Sequence, residues 1–141
     1  MAGAGANFVL DKGLPVLATY NSSAAAGVLA FRCVAWGAGG TVDLNATSTT
    51  RTVGIVQENL DQTKVAKSGI VDVRVLGIST VLCTTAASVV LGSIVAPTTS
   101  GGVKLAVTGN IPVGVVVGIT GTLADGNLIQ VLLTPGLPAA L

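Results

Sequence analysis

Val71-Asp72-Val73-Arg74-Val75 alternates apolar and charged side chains with a period of two, the pattern of a strand that buries one face and wets the other. Val71, Val73 and Val75 are expected to point inward, and Asp72 and Arg74 outward. On either side of this stretch the sequence keeps the same character. Short runs rich in Val, Ile and Thr are separated by Gly, Thr, Asn and Asp, and no segment sustains a 3.6-residue period. Strands are expected at 28–35, 41–44, 52–57, 69–76, 79–83, 92–96, 103–106, 113–119 and 128–133. Gly39-Gly40, Gly101-Gly102 and Asp125-Gly126-Asn127 provide residues for tight turns with positive φ. The fold class that follows is all-β, a small barrel or sandwich.

The two halves of the chain read as copies of one β-unit. Arg32-Cys33-Val34 matches Ser93-Ile94-Val95, and Thr41-Val42-Asp43-Leu44 matches Gly102-Val103-Lys104-Leu105, both at a shift of 61 positions (93 − 32 and 102 − 41). Val53-Gly54-Ile55-Val56 matches Val113-Gly114-Val115-Val116 at a shift of 60 (113 − 53), and the opening stretch resembles Leu128-Ile129-Gln130-Val131-Leu132 at 57 to 58 (128 − 71 and 132 − 74). The order strand, Gly-rich turn, short strand, Val-Gly strand, polar loop, final strand is kept in both copies, which predicts two related β-units at about 28–77 and 92–133 within one domain, 28–141. Residues 1–27, rich in Gly, Ala, Ser and Asn around Leu14 to Tyr20, read as an extended N-terminal arm.

Composition narrows the function. Half of the 141 residues are hydrophobic, 9% are charged and 3% aromatic, so the core is built from Val, Leu, Ile and Ala. With so few charges, part of the apolar surface must face either water or another protein, and assembly is the expected remedy. A net charge of +1, with no basic run and no aromatic platform, argues against nucleic acid as partner. No charged residue lies between Arg74 and Lys104, yet Gly77, Gly92 and Pro97 and the many β-branched residues suit strands and turns, so no membrane span is expected. The first residues lack a basic and then apolar leader, so no signal peptide is expected either.

Catalytic chemistry finds few residues to work with. The chain has no histidine, which excludes Ser-His-Asp and Cys-His catalysis and removes the commonest metal ligand. Cys33 and Cys83 lie in apolar runs and outside any metal-ligand spacing; buried free thiols and a single disulfide are the two readings. Glu58 and Asp61 are the one close carboxylate pair, but the stretch from Gln57 to Lys67 is the only strongly polar one in the chain, which suits a solvated or docking loop. Gly37-Ala38-Gly39-Gly40 lacks the Lys-Ser/Thr of a phosphate loop and is read as a turn, and 46–52 as a Thr-rich surface loop. Trp36 is either an interface anchor or a strand-end packing residue. The expectation is a structural protein and not an enzyme, without catalytic residue, metal, cofactor or small-molecule substrate.

The order of apolar strand, Gly-Gly turn, Val-x-Leu, Thr52-Val53-Gly54-Ile55-Val56, polar loop and Val71 to Gly77 resembles the bacteriophage head-decoration, or capsid cement, proteins. Ile111-Pro112-Val113-Gly114-Val115-Val116, the turn at 124–127 and the strand at 128–133 are similar to the way such proteins end. The resemblance covers about 28–133. It implies a β-rich, commonly homotrimeric subunit that binds the major capsid protein on the outer surface of the virion, after assembly in the host cytoplasm, through several weak contacts made together. The contact residues this implies are Asn7, Phe8, Leu10, Leu14, Val16 and Tyr20 of the arm, Trp36, and Glu58, Asp61, Lys64 and Lys67 of the polar loop. A subunit of a phage or bacterial fibre, tail or surface layer is the alternative, since the same β-units would serve it.

Overall fold

A computed structural model of the chain describes residues 15–19, 28–37, 42–56, 65–66 and 70–134, with side chains for 30–37, 42–56 and 73–134. The strands are β1 (Pro15–Thr19), β2 (Val28–Leu29), β3 (Cys33–Trp36), β4 (Val42–Leu44), β5 (Gly54–Val56), β6 (Val65–Ala66), β7 (Ile70–Arg74), β8 (Ile78–Thr85), β9 (Ile94–Pro97), β10 (Val103–Leu105), β11 (Gly114–Gly118) and β12 (Leu128–Leu133). The described residues form no helix, and the fold is all-β, as the alternation and the β-branched content dictate.

Two five-stranded assemblies account for ten of the strands. The first is an open sheet in the order β1-β7-β5-β3-β4; the second is a closed barrel in the order β10-β8-β12-β11-β9. Strand for strand these are one arrangement used twice, and the ladders are in the same register. Cys33 opposite Ile55 returns as Ile94 opposite Val115, and Ile55 opposite Arg74 returns as Val115 opposite Leu132. Val34 opposite Leu44 likewise returns as Val95 opposite Leu105. Hydrogen bonds outside the ladders repeat as well: the Phe31 amide donates to the Val56 carbonyl at 2.8 Å, and the Gly92 amide to the Val116 carbonyl at 2.8 Å. Phe31, at φ 61°, holds the left-handed conformation that Gly92 adopts at φ 87° in the second copy, a conformation glycine takes without the steric cost that Phe31 bears.

The duplication is longer than the sequence match suggests. β1 lies against β7, with Thr19 opposite Ile70, as β8 lies against β12, with Leu82 opposite Leu128. Each unit therefore begins one strand earlier, and the first strand of the first unit falls inside the segment read as an arm. What separates the units is closure. A parallel pairing of Val103 with Cys83 joins β10 to β8 and completes the barrel, whereas among the described residues β1 and β4 are the two edges of the first sheet.

Valine at four equivalent positions lines the inner face of both units. Val34, Val42, Val56 and Val73 in the first correspond to Val95, Val103, Val116 and Val131 in the second, and all eight are fully buried or nearly so. Ser79, Val81, Cys83, Ile129 and Leu133 complete the buried face of the barrel. Small branched side chains suit so narrow a barrel, because strand curvature leaves little room per inward position.

Two further strand assignments change. The run 28–35 is not one strand: it breaks at 30–31, where the chain leaves the short β2–β6 pair and turns at Phe31 into β3. Val65–Ala66, within the polar stretch, pairs with β2. The uncharged stretch from Leu76 to Ala96 builds β8, the following turns and most of β9, and among the described residues no helix is long and apolar enough to cross a membrane. Gly101 and Gly126 have positive φ, as expected of turn glycines; Gly39 and Gly40 lie outside the described residues.

Both cysteines are free and buried. Burial pushes the Cys33 thiol from 9.0 up to about 12, against the smaller opposing effects of a hydrogen bond with Thr52 and the charge of Arg32. Cys83 is raised as well, also chiefly by burial. In the unfolded chain the Cys33 thiol ionises near its ordinary value while the folded chain holds the proton, so its contribution to stability is complete below about pH 9 and is lost as pH rises toward 12. Between neutral pH and roughly pH 10.5 this one group is expected to remove about 2 kcal/mol. Urea unfolding at both pH values checks it: Cys33→Val should flatten the decline without abolishing it, since Cys83 contributes in the same direction.

Candidate interaction surface

The ladder register decides which side chains share the outer face of each unit. In the first unit Cys33 stands beside Ile55, and Ile55 beside Arg74. Alternation along the strands turns this row away from the inner valines, yet Cys33 and Ile55 are fully buried because the second unit covers them: they belong to the same apolar cluster as Val81, Cys83, Val103 and Ile129 of the barrel. Backbone hydrogen bonds fasten the contact. The Leu82 amide donates to the Phe31 carbonyl at 3.0 Å, and the Cys33 amide to the Gly101 carbonyl at 2.7 Å. At a third point Ile111 N–H donates to the Ser48 carbonyl at 2.7 Å, and Asn110 Nδ2 donates to Ser48 Oγ at 3.0 Å. Ser48 sits on the Thr-rich loop, which is shaped by Asn45: its Nδ2 donates to the Thr50 carbonyl and to Thr52 Oγ1, and its Oδ1 accepts from the Thr47 amide.

The equivalent row on the second unit is Ile94, Val115 and Leu132, continued by Ile78 on β8. Here Ile94 and Val115 are only partly covered, and Leu132 and Ile78 are exposed. Leu76, Val117, Val90 and Leu91 are also exposed, and the bond from the Gly92 amide to Val116 holds the 90–92 turn beside β11. The outer side of the barrel thus carries an aliphatic row, Ile94, Val115, Leu132 and Ile78, the kind of surface that marks a protein contact.

Polar groups are spent on structure. Asp125 Oδ1 accepts the Ala86 amide at 2.7 Å and ties the β11–β12 loop to the end of β8. Arg74 Nη1 donates to the Ile78 carbonyl at 2.7 Å across the junction of the units. Arg32, largely buried, donates to the Ala30 carbonyl at 3.2 Å, and its desolvation lowers its pKa from the ordinary arginine value. Among the described residues no three His, Cys, Asp or Glu side chains gather where they could hold a metal. An open groove of about 350 Å³ is lined by Thr80, Gly118, Ile119, Thr120, Leu128, Ile129 and Gln130, with no ionisable group.

Of the contact residues expected from sequence, Trp36 ends β3 and is 63% exposed. Val16 stands opposite Val73 in the β1–β7 ladder. Asn7, Phe8, Leu10, Leu14, Tyr20, Glu58, Asp61, Lys64 and Lys67 lie outside the described residues. The aliphatic row on the barrel is not legible residue by residue in the sequence. Its one sequence signal is the comparison of the copies, where Ile94 and Leu132 stand in place of Cys33 and Arg74. No protein-family model matches the chain, and no curated protein matches it in sequence.

Proposed function

We propose that this chain is a non-enzymatic assembly subunit that binds the outer surface of a phage capsid as a decoration protein. The observation that carries the reading is the exposed or half-exposed aliphatic row of Leu91, Ile94, Val115, Leu132 and Ile78 on a duplicated β-scaffold. Such a face gains free energy only when another protein removes it from water, at roughly 25 cal/mol per Å². The resemblance of 28–133 to capsid cement proteins supplies the partner, the major capsid protein, and a homotrimeric state on the virion. An oligomer held together through such faces presents several shell contacts at once and binds with an avidity that no single contact reaches.

The test is co-sedimentation of the purified chain with emptied, expanded heads of the virus whose genome encodes it. Pelleting that saturates at a stoichiometry set by the symmetry axes of the shell is expected. A chain that stays in the supernatant overturns the reading, and filaments or sheets formed by the chain alone would favour the fibre or surface-layer alternative.

A further inference from the structure

The internal duplication says what the exposed face of the second unit is shaped to meet. We propose that it docks on the first unit of a second copy of this chain, head to tail, repeating between molecules the contact that the first unit makes with the second within one molecule.

Ala30, at 1% exposure, adjoins Phe31, whose carbonyl accepts the Leu82 amide of the barrel, and Cys33 and Ile55, both at 0%, are buried in one apolar cluster with it. Shifts of 61, 61 and 60 positions convert them to Leu91, Ile94 and Val115, of which Leu91 is 63% exposed and the other two partly covered. At two of the three positions the free side chain is the larger aliphatic one, the reverse of what an unused, water-facing copy would need. The backbone is prepared in the same way. Phe31, whose carbonyl accepts from Leu82, and Gly92 share the left-handed conformation and the same bond to β5 or β11. On the receiving side, Leu82 of β8 corresponds by register to Thr19 of β1, and β1 is an edge of the first sheet. In the assembled pair the Gly92 carbonyl of one copy accepts the Thr19 amide of the next, as the Phe31 carbonyl accepts the Leu82 amide within one chain at 3.0 Å.

Because the donor face is on one unit and the receiving edge on the other, the contact is heterologous and repeats from copy to copy, closing into a ring where the rotation permits. This inference rests on the reading of the chain as an assembly subunit, but it is tested on the purified chain with no shell present. Light scattering of the wild type should give a multiple of 13.8 kDa. Leu91→Glu should weaken association at least about tenfold and leave a folded monomer. Val107→Glu, a change at another exposed valine on the β10–β11 loop, should leave the mass unaltered. A flexible bismaleimide should join L91C to T19C in a mixture while joining neither to itself, the two native thiols being buried. A monomeric wild type, an oligomer indifferent to L91E, or L91C cross-linking to itself overturns the proposal. A monomer that still pellets with heads would overturn only the head-to-tail contact, and an oligomer that does not pellet would overturn only the capsid reading.

Discussion

Gly114→Ala is expected to lower stability by about 3 kcal/mol or to prevent folding, well beyond the effect of one added methyl group in open space. A Cβ at Gly114 would run into the Leu132 carbonyl and lie 2.8 Å from Val131 Cγ1. The first of these is β12 backbone at the end of the β11–β12 ladder, where Gly114 pairs with Leu133 and Val115 with Leu132, so relief requires two strands of a closed barrel to part. Gly54 meets the same obstacle at its own copy, the Arg74 carbonyl together with Val73 Cγ1 at 2.6 Å. Gly54→Ala should therefore fail in the same manner, though less severely, since the first sheet has open edges to absorb a shift. Gly109→Ala is the comparison: nothing stands within 4 Å of a Cβ there, and only its φ of +92° resists, a cost of about 1 kcal/mol. Circular dichroism followed through urea unfolding separates the three. Equal losses at Gly114 and Gly109 would show that conformational freedom, rather than close approach, explains the glycine.

The second large effect contrasts two residues that the duplication makes equivalent. Ile55→Ala is expected to cost about 3 kcal/mol, because Ile55 is fully buried where the first unit packs on the barrel and the cavity left there is closed on all sides. Val115→Ala, at the same place in the second unit, should cost under about 1 kcal/mol when measured dilute enough to keep the chain monomeric, since Val115 is partly exposed. Unfolding midpoints of both variants at low micromolar concentration provide the check. A similar loss at both sites would mean that the outer face of the barrel is covered within the single chain, and the exposed row described above would not exist.

Strand type and repeat are legible in the amino-acid sequence because both depend on local pattern. Period-two alternation at 71–75 and the valine-glycine motif at 53–56 and 113–116 constrain the backbone and its pleat directly, and the predicted register of the two copies is the register found from β3 to β5 and from β9 to β11. The break at Phe31 is hidden because nothing in 28–35 announces a turn: phenylalanine rarely holds positive φ, and it does so here within hydrogen bonds to Val56 and Leu82 from distant parts of the chain. The strand at Pro15–Thr19 reads as arm because its partner β7 lies more than fifty residues away in sequence.

The candidate surface shows the same division. Low charge and aliphatic content, both plain in the sequence, already call for a protein partner. Alternation gives each strand two faces but does not say which face of a unit meets its neighbour, so Cys33 and Ile55 read the same whether they bury a contact or line an exterior. The sequence by itself determined an all-β chain of two related units with valine-lined interiors, because side-chain period and turn residues act over a few positions. Only the tertiary structure decided that one copy closes into a barrel while the other stays open, and that the outer row is covered on the first unit and bare on the second. Those outcomes depend on contacts such as Val103 with Cys83 and Cys33 with Gly101, which bring together residues far apart along the chain.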